Sequence, residues 1–179
     1  MIVTVTQFDT YSGNCETAQD IVALKTSMLM TAQGIVEDYL GYPAESTSRT
    51  DTVQGIGNNS LYLFAQPITA VSAVSFNGMT LLPAAYDILG NHLRLKDGVW
   101  PNGADITVSY TAGYSAQNMP DIIKMTILQI ATLMLQETDG NIGITGKSMS
   151  ENSRTFINYT NYDKWLKKLD QLRIVRLYG

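Results

Sequence analysis

Gly143-Ile-Thr-Gly-Lys147-Ser148 is the segment closest to a reactive motif in this chain. A phosphate-binding loop needs G-x-x-x-x-G-K-[ST] after a strand and at the start of a helix, so that its amides converge on the phosphates. Here the required first glycine is Asn141, with Gly140 one place too early, and the flanks read as helix before and polar loop after. Nucleotide binding is therefore disfavoured. His92 is the only histidine, which excludes a multi-histidine metal site and leaves a Ser-His-Asp triad no other base. It falls in an expected hairpin and reads as a surface residue. Cys15, the only cysteine, has no local partner for thiol chemistry and permits no intrachain disulfide. Glu37 and Asp38 are adjacent and so diverge around a helix, a poor geometry for a carboxylate pair. Asp51, Asp87, Asp97 and Asp105 are scattered through turns and edges, and no calcium-loop spacing occurs. The expectation is a protein without catalytic residues, metal or cofactor.

Charge is less evenly spread than the net of −4 suggests. Residues 1–146 carry 5 Lys/Arg against 13 Asp/Glu, a balance of −8, and residues 147–179 carry 7 against 3, a balance of +4. The basic end interleaves aromatics: Tyr159, Trp165, Lys168, Arg173, Arg176 and Tyr178 stand out, with Lys147, Arg154, Tyr162, Lys164 and Lys167 around them. Such a face suits protein docking or nucleic-acid contact, while a solvated amphipathic helix would look the same.

The elements that must carry these residues follow from periodicity. Over 17–40, apolar residues recur at Ile21, Leu24, Met28, Ala32, Ile35 and Tyr39, steps of three and four that predict a helix, stopped by Gly41 and Pro43. Residues 1–16, alternating Ile, Val and Thr at first, read as extended, and 44–60 as loop. Across 61–112 the period becomes extended. Asn77-Gly78 suits a type I′ hairpin, Gly90-Asn91 suits a second, and Ile106, Val108 and Tyr110 share one face of the last strand. Pro120 and Asp121 open a helix to about 137 that is apolar nearly all round, which predicts burial on several sides, a neighbouring subunit included. Residues 138–161 read as polar loop. Over 162–175, Trp165, Leu166, Leu169 and Leu172 form one stripe of an amphipathic helix. The reading is thus an α+β chain: a helical bundle with helices near 17–40, 120–137 and 162–175, and a small antiparallel β lobe over 61–112 inserted between them. A single domain spans 1–179, ending in a docking segment, 147–179. Apolar residues make up 45 % and no stretch is long enough to cross a bilayer, so a soluble, cytoplasmically made protein is expected.

The order of features carries a resemblance. Ile35-Val-Glu-Asp-Tyr-Leu-Gly-Tyr-Pro43 closes the first helix. Pro67-Ile-Thr-Ala-Val-Ser-Ala-Val-Ser-Phe-Asn-Gly78 follows, then Tyr86-Asp87-Ile88, Ile106-Thr-Val-Ser-Tyr-Thr-Ala-Gly113 and Met119-Pro-Asp-Ile-Ile-Lys124. Lys147-Ser-Met-Ser-Glu151 and Thr155-Phe-Ile-Asn-Tyr159 come last. Over about 17–176 this succession resembles the head-tail connector (adaptor, head-completion) proteins of tailed bacteriophages. The resemblance implies a structural, non-enzymatic virion protein of the neck, a bacteriophage assembly part forming a twelve-fold ring between the portal protein and the next neck protein. It implies docking on the portal, with DNA passing through the channel unbound. A stopper or tail-completion protein one layer down is the alternative, and a nucleotide- or DNA-binding protein a more distant one.

Overall fold

The computed structural model describes residues 1–138, 146–149, 152–155 and 162–174. The chain divides into two compact units: Met1–Leu40 with Pro120–Arg173, and Gly41–Met119 with Ile174–Gly179. Helices dominate the first and antiparallel strands the second, an α+β composition.

The helical unit begins with a correction. Residues 1–16 are not extended: α1 spans Val5–Ser12. Thr4 and Gln7 form a reciprocal cap, the Gln7 amide donating to Thr4 Oγ1 at 3.2 Å and the Thr4 amide to Gln7 Oε1 at 2.9 Å. Gly13, with φ 71°, closes the helix. Val3 and Phe8 are fully buried, so tertiary packing overrides the β-branched bias of the first residues.

α2, Gln19–Leu40, buries Lys25, Met28, Leu29, Ala32, Val36 and Leu40. The buried stripe is turned by about one residue from the expected one, because Lys25 takes a core position that hydrophobicity alone assigns to Leu24. Lys25 is fully buried and satisfied: its Nζ donates to Asp9 Oδ1 at 2.6 Å, Asn14 O at 2.8 Å and Glu16 O at 3.1 Å. A buried ammonium is tolerated only with such a set of acceptors. One side chain thus ties α1 and the 13–18 loop to α2.

α3, Asp121–Thr138, starts just after Pro120 and packs on α2. Ile123, Thr126, Ile127, Leu128, Ile130 and Ala131 are buried, whereas Ile122 and Met125 remain more than a third exposed. A short hairpin follows, β8 (Gly146–Met149) against β9 (Asn152–Thr155).

The last helix is the second correction. An α-helical turn, α4 (Tyr162–Leu166), passes directly into a 3-10 helix over Lys167–Leu172. The leucines explain it: Leu166, Leu169 and Leu172 are spaced three and three, and in a 3-10 helix residues i and i+3 eclipse. Leu166 and Leu169 are buried and Leu172 half-buried, so one straight apolar edge is covered.

The strand unit contains β1 (Thr47–Gln54), β2 (Ser60–Tyr62), β3 (Ile68–Phe76), β4 (Met79–Thr80), β5 (Tyr86–Leu89), β6 (His92–Leu95) and β7 (Asp105–Ala112), in a four-stranded antiparallel sheet of order β1-β7-β3-β4 and a three-stranded one of order β2-β6-β5. Within the stretch read as loop lies β1, Thr47–Gln54, paired along its whole length with β7, Asp105–Ala112. Its outward residues hold by cross-strand hydroxyl pairs, Thr50 with Ser109 at 2.9 Å and Ser48 with Thr111 and Thr52 with Thr107 at 3.2 Å. No apolar alternation betrays such a strand.

The remaining strands follow the sequence pattern: β3 Ile68–Phe76, β4 Met79–Thr80, β5 Tyr86–Leu89 and β6 His92–Leu95, with β2 at Ser60–Tyr62. Asn77 and Gly78 have φ of 50° and 74°, as a type I′ turn requires. Ile106, Val108 and Tyr110 are buried on one face of β7. Below them, Asp51 accepts from the Tyr110 hydroxyl through Oδ2 and from Arg49 Nε and Nη2 through Oδ1 at 3.0 and 2.9 Å. At Gly113, φ 107°, an added Cβ would lie 2.6 Å from the Glu45 carbonyl oxygen, so that crossing of backbones requires glycine.

Candidate docking surface

The reactive-looking residues end in structural settings. Gly146, Lys147 and Ser148 lie on β8, an extended strand of a hairpin with no helix opening at the lysine, so their amides have no shared focus for a phosphate. Gly143 to Thr145 lie outside the described residues. His92 sits at the start of β6 with Nδ1 2.9 Å from Asn91 Oδ1 and its ring 4.9 Å from that of Tyr62. Glu37 accepts from Gln33 Nε2 at 3.2 Å on its own helix. Cys15 is exposed. No helix among the described residues is long and apolar enough to cross a membrane.

The basic and aromatic residues are arranged more tellingly. Three-residue periodicity sorts the C-terminal element into three edges. Leu166, Leu169 and Leu172 face inward. A second edge carries Trp165 and Lys168, the Lys168 Nζ standing 4.0 Å over the Trp165 ring, with Lys164 Nζ at 5.7 Å. The third carries Lys164, Lys167, Asp170 and Arg173, and there α2 contributes a residue the sequence reading missed: Tyr39. Its hydroxyl donates to Asp170 Oδ1, and the Arg173 guanidinium lies 4.8 Å over its ring. The Asp170 hydrogen bond, followed by partial desolvation, pushes the Tyr39 phenol above its ordinary pKa. In sequence the only hint is that Tyr39 sits one helical step beyond Ile35.

Of the six expected docking residues, the structure therefore brings Trp165 and Lys168 together and sets Arg173 against Tyr39. Tyr159, Arg176 and Tyr178 lie outside the described residues.

Ion pairing separates this element from the rest of the chain. Each of the five cations before residue 147 has a carboxylate: Lys25 with Asp9, Arg49 with Asp51, Arg94 and Lys96 with Asp87, and Lys124 with Asp121. Among the described residues, Lys164, Lys167, Lys168 and Arg173 have no carboxylate in ion-pair range; their neighbours are aromatic rings or solvent. A cation over an aromatic face keeps its charge available at its outer side.

Among the described residues, the fold is α+β and its C-terminal element presents cations and aromatic rings side by side. The family model for head completion proteins matches residues 1–162, and the chain belongs to that family. The structure is similar to chains in the "Neck of empty GTA particle computed with C6 symmetry" (TM-score 0.62, 14 % identity, covering 99 % of this chain and 92 % of that one). It is similar also to a chain in the "Virion of native gene transfer agent (GTA) particle" (TM-score 0.62, 16 % identity, 99 % and 92 %). A third similarity is to the "Neck of native GTA particle computed with C12 symmetry" (TM-score 0.55, 15 % identity, 98 % and 90 %). No curated protein sequence matches the chain significantly. The family membership agrees with the head-completion role that the order of sequence features implies.

Proposed function

We propose that the chain is a structural, non-enzymatic head-tail connector of the virion neck. Many copies, twelve in number, form a ring on the portal protein and complete the head for tail attachment. A helical bundle carries the inserted β lobe, 61–112, and the 147–179 segment docks through Tyr159, Trp165, Lys168, Arg173, Arg176 and Tyr178. The observation that carries this reading is the cationic face whose charges no carboxylate among the described residues answers. Family membership supports the head-completion role, and the C6 and C12 symmetry named for the similar neck structures supports a ring. Repetition makes weak contacts sufficient, because copies held in one ring engage together and their affinities compound. An acidic body suits a channel wall, since like charge keeps DNA phosphates from sticking.

The double substitution Lys168→Ala with Arg173→Ala, at exposed positions, tests the docking while leaving buried Leu166 and Leu169 in place. The double variant is expected to stay folded and to lose retention on purified portal in a pull-down. Undiminished retention would overturn the assignment. Retention that requires a connector already in place would instead identify the stopper or tail-completion reading.

A further inference from the structure

We infer that Tyr39 is a positioning residue of this docking face, sequestering Asp170 so that Lys167 and Arg173 stay free for carboxylates supplied by the partner. The inference rests on the docking reading and adds to it the chemistry of the partner and the residue that keeps the face receptive.

The geometry states the problem. In the 3-10 helix, Lys167, Asp170 and Arg173 follow one another at intervals of three and lie along one edge. Oppositely charged side chains at that spacing pair with each other. Asp170 would therefore neutralise Lys167 or Arg173 within the element. Neither pair forms. Asp170 instead accepts the Tyr39 hydroxyl, and Arg173 lies over the Tyr39 ring. Asp170 and Arg173 are both exposed, so burial does not impose the arrangement. One side chain of α2 thus occupies the element's internal anion through its hydroxyl and orients a cation through its ring.

The partner chemistry follows from charge. The chain as a whole is acidic, at −4, and its first 146 residues more so, which opposes a polyanion in proportion to its charge density. Duplex DNA, at one charge per about 1.7 Å, is opposed more than a polycarboxylate. Discrete carboxylates on a protein surface can meet Lys167 and Arg173 locally, each cation contributing modestly.

The test compares wild type, Tyr39→Phe, Asp170→Asn and the double variant for binding to poly-L-glutamate and to purified portal, at low salt and at about 0.15 M. Tyr39→Phe keeps the ring but frees Asp170; binding to poly-L-glutamate is expected to weaken roughly threefold and to lose part of its salt dependence. Asp170→Asn should bind at least as tightly as wild type, and the double variant should match Asp170→Asn. A double variant as weak as Tyr39→Phe would mean that Tyr39 only supports the fold, and would overturn the inference. So would wild-type affinity in Tyr39→Phe, failure of wild type to bind poly-L-glutamate, or a preference for duplex DNA over it. If wild type and variants behave as expected on poly-L-glutamate yet none binds portal, the portal assignment falls and the role of Tyr39 stands.

Discussion

Single residues decide the chain's most exacting contacts. Lys25 is a charge placed where a helix face calls for an apolar group, and it is stable there because Asp9 and two carbonyls surround it. Asp9→Ala leaves that ammonium without its counter-charge, and the expected cost is roughly 3 kcal/mol, read from the urea midpoint at unchanged slope. Gly113 is equally constrained: Gly113→Ala sets a methyl against the Glu45 carbonyl and adds an unfavourable positive φ, for an expected loss of about 2–3 kcal/mol in the same assay. Tyr42 and Tyr110 are buried phenols whose pKa values are raised mainly by desolvation. Because the folded values lie above the unfolded ones, the neutral phenol stabilises the fold at every pH below the unfolded value. Stability should begin to fall as pH rises through about 10, by up to about 1.4 kcal/mol per pH unit for each phenol. A phenolate absorbance titration that reports these two tyrosines ionising together with unfolding would agree; their ionisation in the intact fold near pH 10 would not.

Elements are decided by spacing and by neighbours in different proportions. The Asn77-Gly78 hairpin and the buried face of β7 were legible because turn chemistry and a period of two are local properties. The 3-10 helix was legible in principle, since leucines recur at strict intervals of three, yet an α-helical stripe absorbs the same residues. Leu169→Ala should cost about 2–4 kcal/mol by removing the most buried side chain of that element, measured as a shift in the urea midpoint. The hydroxyl-rich β1 was not legible. Its residues suit a loop equally well, and only pairing with β7 satisfies its backbone on that side. α1 sits between these cases: Thr4 and Gln7 spell a capping box, but the helix is held by burial of Val3 and Phe8.

At the scale of the whole molecule, charge is the organising quantity. The chain before residue 147 consumes its own cations in ion pairs, whereas Lys164, Lys167, Lys168 and Arg173 have no carboxylate in ion-pair range among the described residues. Fluorescence anisotropy with duplex DNA at about 0.15 M salt should show no saturable binding, because the body's excess carboxylates oppose the phosphates. Saturable binding with a steep salt dependence would assign the basic segment to nucleic acid instead.

By itself the sequence determined the α+β class, the two long helices, the hairpin turns, the charge asymmetry and the head-completion resemblance. All of these are written in local periods, turn residues or the order of segments. Only the tertiary structure decided that Lys25 is a core residue, that 47–54 is a strand and that Tyr39 meets Asp170 and Arg173. Those depend on which groups end up within a few ångströms of one another, at separations that run from 16 residues for Lys25 and Asp9 to 131 for Tyr39 and Asp170, and no local period encodes such a meeting.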